Sequence, residues 1–149
     1  MYKFRKVTKQ NYEELIEMDG GSEEHCAPNY RTILDAIYNN KQYGLRAIYL
    51  NEIPIGIFYY YIFNHAYWVN RLLIDKKYQN KGHGKKIFKK LIKYLENKKG
   101  VDNVNRIELS VSNPILLNLK DKMGFTKMNN DRSEKFYKDH KEYIYFKYI

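Results

Sequence analysis

The chain contains a single cysteine, Cys26, and its four histidines show no metal-ligand spacing. One cysteine excludes an intramolecular disulfide and a cysteine-rich metal site, so we expect no bound metal. Neither a signal peptide nor an apolar run of transmembrane length is recognisable, so we expect a cytoplasmic protein with no membrane partner. Repeats, low-complexity segments and linkers are also missing. We therefore expect residues 1–149 to form a single domain.

The net charge of +10 draws attention to nucleic acid as a partner. However, lysines occur along most of the chain, and the sequence combines Lys, Asn, Ile and Tyr as AT-rich coding biases do. We therefore regard nucleic acid as the weaker explanation of the charge.

The most informative stretch runs from Leu72 to Leu95. The apolar end of a strand, Leu72-Leu73-Ile74, leads into a turn that contains Gly82 and Gly84, and an amphipathic helix follows. Two glycines one residue apart let the backbone adopt conformations closed to other residues and approach a ligand closely. The amides at the mouth of a helix form an anion site. The spacing matches neither the dinucleotide-binding loop nor the Walker loop.

Lysines crowd the first turns of this helix, where the helix dipole disfavours them. They are Lys85, Lys86, Lys89 and Lys90. A bound polyphosphate would offset this cost, whereas a solvated lysine face beside a tight turn is the alternative. At the other end of the helix, Lys98 and Lys99 precede Gly100, which we predict as the C-cap.

The pattern Ile74-(x)4-Gln79-x-x-Gly82-x-Gly84 resembles the acetyl-coenzyme-A signature of the GCN5-related N-acetyltransferase (GNAT) family. The run from Tyr67 to Lys85 is similar to the bacterial diamine and polyamine (spermine/spermidine) acetyltransferase branch. This resemblance implies an α/β fold with a mixed central sheet of about seven strands and about four flanking helices. It also implies an enzyme that moves acetyl from acetyl-CoA directly to a primary amine, with a polyamine or diamine as the first expectation.

The resemblance further implies which residues bind acetyl-CoA. The strand end would pair with the pantetheine arm, the turn would hold the pyrophosphate, and the amide near Ile74 would stabilise the oxyanion. The implied residues are Leu72, Leu73, Ile74, Gln79, Asn80, Lys81, Gly82, His83, Gly84 and Lys85. Asn113 is a further cofactor contact, an ordinary helix cap, or both. We expect His83, between the glycines, to be exposed and structural.

Transfer to an amine needs an acid for the departing thiolate. A second family motif aligns with residues 113–125 and places Lys120 where the family often carries its general-acid tyrosine. Lys120 is therefore the implied catalytic acid, although its substitution for tyrosine leaves that role open. Tyr137 and Tyr143 are alternative acids.

The transfer also needs a base, because a free alkylamine has a pKa of about 10. Some relatives that act on polyamines carry acidic residues where this chain has Asn70 and Arg71. Glu108, on the adjacent strand, is the substitute candidate. The first alternative is a solvated Glu108 on a half-exposed strand. The second is a water relayed by backbone carbonyls, which takes the proton without any side-chain base.

An acidic loop supplies the candidate acceptor site. Glu23 and Glu24, together with Asp19, suit a cationic amine, although a solvated charged loop is the commoner fate of such residues. The family also acetylates antibiotics and protein amines, so these acceptors remain alternatives. A catalytically weak module that binds CoA or nucleic acid is another. Dimers are common in the family, so a homodimer is compatible with the resemblance.

Apolar periodicity predicts strands over 2–7, 45–50, 53–63, 67–74, 105–111, 125–128 and 143–148. A helix is predicted after a capping box of Asn11 and Glu14, and a second over the stripe Ile33, Leu34, Ile37 and Tyr38. A third helix follows the glycine turn, and a fourth runs from Pro114 to Gly124.

Overall fold

The computed structural model describes residues 1–20, 33–34, 37–38, 43–111 and 114–149. The elements, in chain order, are β1 (Tyr2–Lys6), α1 (Glu13–Ile16), β2 (Tyr43–Leu50), β3 (Ile53–Phe63), β4 (Ala66–Ile74), α2 (His83–Asp102), β5 (Arg106–Ser110), α3 (Pro114–Lys122), β6 (Thr126–Lys127), α4 (Asp131–His140) and β7 (Ile144–Tyr148). A 3₁₀ turn, Lys76–Tyr78, lies between β4 and α2. Among these described elements, no helix has both the length and the apolar character needed to cross a membrane.

The strands form one mixed sheet of seven in the order β1-β2-β3-β4-β5-β7-β6. β1, β2 and β3 pair antiparallel, β4 and β5 pair parallel, and β7 pairs antiparallel with both β5 and β6. The β2–β3 hairpin turns at Asn51 and Glu52, which both have positive φ, as a tight two-residue hairpin turn requires. The predicted α/β fold with a mixed sheet is confirmed.

The chain divides into two compact units. The first comprises Met1–Tyr61 and Asn70–Ile87, and the second comprises Ile62–Val69 and Phe88–Ile149. The first unit has a core of apolar side chains from α1, β2, β3 and β4, together with Met18 and Ile33. Its buried members are Leu15, Met18, Ile33, Leu45, Ala47, Tyr49, Ile57 and Leu73.

The predicted apolar face of α2 is confirmed. Ile87, Phe88, Leu91, Ile92 and Leu95 are all buried, because their spacing places them on one side of the helix. Phe88 contacts the ring of Phe125, which follows α3. The stripe predicted from Ile33 is only half confirmed: Ile33 is buried and Ile37 packs against the same core, whereas Leu34 and Tyr38 are exposed.

The predicted capping box of α1 is wrong. The side-chain oxygen of Asn11 accepts from the main-chain N–H of Thr8, and its nitrogen donates to the carbonyl of Lys6. Glu14 instead accepts a hydrogen bond from the hydroxyl of Tyr49. Asn11 therefore closes the turn before the helix, because local side-chain-to-backbone bonds compete with capping.

The predicted C-cap at Gly100 is also wrong. α2 continues to Asp102, and Asn103 adopts the left-handed conformation with φ of 52°. The N–H of Val104 then donates to the carbonyl of Lys99 at 3.1 Å, the six-residue closure of a Schellman motif. Asparagine tolerates this conformation, so glycine was not needed to end the helix.

α4 was not predicted, although its sequence carries a start signal. Asn130 has extended backbone, and its side chain accepts from the N–H of Ser133 at 2.9 Å. Asp131 and Glu134 lie in the first turn, where the helix dipole favours acids. Residues 131–140 are strongly polar and include only two large apolar side chains, Phe136 and Tyr137, so few apolar positions were available to reveal the helix.

Candidate active site

The turn between β4 and α2 combines a short 3₁₀ segment with two residues that have positive φ. Asp75 accepts from the N–H of Lys77 at 3.0 Å and so starts the 3₁₀ turn. Asn80 and Gly82 then adopt φ of 60° and 82° before α2 begins at His83. A Cβ at Gly82 would meet no atom within 4 Å. Glycine is therefore favoured there by the backbone conformation, and not by crowding within the chain.

Gly84 has a different role from the one expected. It lies in the first turn of α2 without positive φ, and a Cβ there would meet Ile74 Cδ1 at 3.6 Å, an ordinary contact. The expectation that both glycines adopt conformations closed to other residues is therefore wrong for Gly84. Its missing side chain keeps the start of the helix open.

Gln79 joins the turn to the end of β4. Its amide nitrogen donates to the carbonyls of Ile74 and Gly20, each at 2.7 Å. An amide –NH₂ has two hydrogens, so both are used within the chain. Gln79 therefore shapes the turn. Within its side chain, only the carbonyl oxygen is left to contact the cofactor, as the sequence predicted for this residue.

The end of β4 lies against β3. A Cβ on Gly56 would come within 2.3 Å of the Leu73 carbonyl, so only glycine permits this approach. The N–H of Asp75 donates to the carbonyl of Ile55 at 2.8 Å. The parallel ladder between β4 and β5 ends at Val69. That ladder therefore does not use the peptide groups of Leu72, Leu73 and Ile74.

The turn and the first turns of α2 are strongly basic. Residues 76–90 contain seven lysines and no acid. Lys85, Lys86 and Lys89 are exposed, and among the residues that the structure describes no carboxylate pairs with them. Lys76 does have a partner, since its ammonium lies 2.9 Å from Asp19, and this hydrogen bond raises the pKa of Lys76.

His83 is held in place instead of being fully exposed. Its Nδ1 lies 2.6 Å from the hydroxyl of Tyr2, on β1. Its ring makes edge contacts with Tyr2 and Tyr78, at centroid distances of 5.8 and 6.4 Å. The first residue of α2 is therefore fixed by one side chain on β1, Tyr2, and by one within the turn itself, Tyr78.

In the second unit, Glu108 is fully buried on β5. Arg106 Nε lies 2.9 Å from one carboxylate oxygen, and Arg132 Nη2 lies 2.8 Å from the other. Arg132 also covers the rings of Phe63 and Trp68. The alternative of a solvated, half-exposed Glu108 is therefore wrong, because two guanidinium groups allow the charge to be buried.

Lys120 is also buried, with 5% of its surface exposed. Its ammonium lies 2.6 Å from Asp121 Oδ1 and 3.9 Å from the centroid of the Tyr145 ring. Tyr145 was missed at the sequence level, since sixteen tyrosines offered no signal to select it. The alternative acids Tyr137 and Tyr143 stack on each other at 4.3 Å.

The predicted cofactor residues from Leu72 to Lys85 thus form one continuous strand end, turn and helix start in the first unit. Glu108 and Lys120 lie in the second unit. Glu23, Glu24 and Asn113 lie outside the described residues, as does Cys26. Within the described ranges, no three His, Cys, Asp or Glu side chains are grouped to hold a metal ion.

The model of the acetyltransferase (GNAT) family matches residues 8–125, most of the chain. The chain belongs to the GNAT family. This confirms the predicted family and makes the protein an acetyl-CoA-dependent N-acetyltransferase.

Solved structures show the same fold over the whole chain. The GNAT chain is similar to PaiA N-acetyltransferase from Thermoplasma acidophilum in complex with coenzyme A, with a TM-score of 0.69 and 18% identity over 100% of this chain and 99% of that one. It is also similar to a protein from Bacillus anthracis that is provisionally named a streptothricin acetyltransferase and was solved in complex with acetyl-CoA. The TM-score is 0.72 and the identity 16%, over 100% of this chain and 99% of that one. A third similar structure is the ribosomal-protein-S18-alanine N-acetyltransferase of Escherichia coli. Its TM-score is 0.69 and its identity 14%, over 100% of this chain and 94% of that one.

At these identities the structures support the GNAT fold and do not select an acceptor. No curated protein matches the sequence significantly.

The residues of the turn fit acetyl-CoA. The first N–H groups of a helix have no partner within it, and the turn before α2 leaves them next to Lys85 and Lys86, which no carboxylate of the described ranges pairs with. The cosubstrate carries a pyrophosphate, so the donors and the charge match its chemistry. Gly84 adds no side chain that would obstruct this approach.

Proposed function

We propose that this GNAT enzyme transfers the acetyl group of acetyl-CoA to a primary amine of a polyamine or diamine. The observation that carries the acetyl-CoA part of the proposal is the basic turn before α2, in which Gly82 has φ of 82° and Lys85 and Lys86 have no carboxylate partner among the described residues. This arrangement costs stability unless an anion binds there.

Bound acetyl-CoA would supply an activated acetyl group and a thiol leaving group. The chain would contribute the main-chain N–H groups at the start of α2 and the side chains of Lys81 and Lys85 to its phosphates. The peptide groups of Leu72–Ile74 would pair with the pantetheine arm, and the amide near Ile74 would donate to the oxyanion. Asn80 and Asn113 are further proposed contacts.

Lys120 is the proposed proton donor to the departing thiolate. Its position between Asp121 and the Tyr145 ring supports a charged ammonium that is held in one orientation. Glu108 is a less suitable base than its position in the sequence indicated, because its charge is paired with Arg106 and Arg132, although Oε2 accepts no hydrogen bond among the described residues. A water relayed by backbone carbonyls is therefore the proposed route for the amine proton.

The acceptor is proposed from the acidic run that contains Glu23 and Glu24. Carboxylates attract cationic amines, and a polyamine carries several ammonium groups. Asp19 contributes less than expected, because it pairs with Lys76. The alternative acceptors are an antibiotic amine and a protein amine, the two substrate types named for the Bacillus anthracis and Escherichia coli relatives.

The test is acetyl-CoA-dependent thiol release with putrescine, spermidine, spermine, an aminoglycoside and a lysine peptide. Selective turnover of the polyamines supports the proposal, and selective turnover of another group replaces the acceptor. Calorimetry of CoA binding would compare Gly82→Asp, which places a carboxylate in the turn, with Gly100→Asp, which adds the same charge near the far end of α2. CoA binding should be lost in the first variant only. Wild-type protein that binds no CoA would refute the function.

A further inference from the structure

The ring of His83 has one nitrogen, Nε2, that no residue described by the structure contacts through a hydrogen bond. Only Nδ1 is engaged, by the hydroxyl of Tyr2 at 2.6 Å, and Nε2 has no partner among the described residues. His83 is the first residue of α2, beside the helix N–H groups that the proposed function assigns to the phosphates of CoA.

The direction of the Tyr2–His83 hydrogen bond decides what Nε2 can do. A neutral imidazole has one N–H and one acceptor nitrogen, and the partner of one nitrogen sets the state of the other. The 2.6 Å distance between the Tyr2 hydroxyl and Nδ1 fits a hydrogen bond in either direction. When the phenol of Tyr2 donates to Nδ1, Nε2 carries the hydrogen and is a donor. With the bond reversed, Nε2 would be an acceptor and would repel a phosphate.

We propose that Tyr2 is a positioning residue for acetyl-CoA: its hydroxyl holds His83 in the tautomer that presents Nε2–H to a phosphate of the cosubstrate. This inference rests on the proposed function, because it needs CoA at the turn. It adds a neutral donor to a site otherwise served by lysines and main-chain amides. It also assigns a binding role to β1, which lies far from the signature in sequence.

The edge contacts of the two tyrosines with His83 restrict its ring further. A ring confined by Tyr2 and Tyr78 loses little freedom when a ligand binds, so its hydrogen bond is worth more than that of a free side chain. Tyr2→Phe removes only the hydroxyl and keeps the ring, so it separates the hydrogen bond from the packing.

The experiment is a double-mutant cycle on CoA affinity, measured by calorimetry with wild type, Tyr2→Phe, His83→Ala and the double variant. Tyr2→Phe should weaken binding about three- to tenfold, the effect of one lost hydrogen bond. In the His83→Ala background Tyr2→Phe should have no further effect, because Tyr2 acts through His83. Tyr49→Phe is the matched control, since it removes a tyrosine hydroxyl that donates to Glu14 in the same unit. Its CoA affinity should equal that of wild type.

Nitrogen NMR of the His83 ring supplies a readout that a purely structural role would not change. The CoA complex of wild type should show the Nε2–H tautomer, and Tyr2→Phe should show a mixture of both tautomers. Unchanged affinity in Tyr2→Phe, an equal loss in the His83→Ala background, or an Nδ1–H tautomer in the complex would each overturn the inference while leaving the function intact. Wild type that fails to bind CoA would overturn the proposed function as well.

Discussion

Lys120 places an ammonium group in an almost closed environment, on the face of Tyr145 and beside Asp121. The family often has a tyrosine at this position, which can donate a proton to a thiolate. An ammonium can donate as well, and it also stabilises a thiolate by its charge. The residue type is therefore unusual at this position, but the chemistry that it offers is not.

We expect Lys120→Met to lower kcat about 100-fold or more, because proton transfer by a positioned group contributes about that much. CoA affinity should not change, since the lost group acts on the leaving thiolate. Lys120→Tyr should restore much of the turnover. Lys122→Met, at an exposed position of the same helix, is the control. Unaltered kcat in Lys120→Met would show that Lys120 is not the acid.

Glu108 is buried between Arg106 and Arg132, and the alternating pattern of its strand gave no indication of this burial. Glu108→Gln keeps the shape of the side chain but leaves two guanidinium groups without their carboxylate. We expect the free energy of unfolding, measured in urea, to fall by about 3 kcal/mol. Glu52→Gln, which breaks an exposed pair with Lys3 and Arg5, should cause a much smaller loss.

The same variant separates structure from catalysis. Turnover per folded molecule of Glu108→Gln should stay close to that of wild type if the proton leaves through water. A large loss of turnover in protein that is still folded would support Glu108 as the base.

At the scale of the element, α2 has 20 residues and is therefore about 30 Å long. Its lysines occur from the first turn to the last, whereas the anion site that we propose lies only at its start. The same charge change made at the start and in the middle of this helix therefore separates the effect of a local anion site from the effect of net charge.

Lys86→Glu should weaken CoA binding more than Lys93→Glu, because both residues are exposed but Lys86 lies one turn from the helix start. Titrations at increasing salt should show weaker CoA binding by wild type and a smaller salt dependence in Lys86→Glu. Equal effects of the two substitutions would mean that net charge, and not a local site, controls the affinity.

At the scale of the molecule, the net charge is concentrated in one segment. Residues 76–99 contain ten of the 27 basic residues and one of the 17 acidic residues, so they carry nine of the ten net positive charges. The apparent spread of lysines along the chain concealed this, because elsewhere acids nearly balance them. The segment comprises the proposed pyrophosphate turn and most of α2, so binding of acetyl-CoA at the turn would account for the part of this charge that lies at the start of the helix.

We propose that residues 1–149 form one domain, because β3 and β4 each contribute residues to both compact units. Urea unfolding should then show a single transition. Fluorescence of Trp68, the only tryptophan, should give the same midpoint as far-UV circular dichroism. Two separated midpoints would indicate units that unfold independently.

The sequence by itself determined the features that depend on local spacing. The strand, turn and helix from Leu72 to Leu95 were predicted correctly, since apolar periodicity and a glycine signature are local properties. The end of α3 at Gly124 was also predicted, because the left-handed conformation after a helix favours glycine. Family membership followed from the same stretch.

Tertiary structure decided the features that depend on partners distant in sequence. Glu108 is buried because Arg132, on a strongly polar helix that was not predicted, reaches its carboxylate. The side-chain amide of Gln79 donates to the carbonyl of Gly20, and His83 forms a hydrogen bond with Tyr2, a residue 81 positions earlier. Spacing along the chain carries no signal of such contacts, because each is selected by the packing of whole elements. The roles of the ionisable residues could therefore be assigned only after the chain had been placed in space.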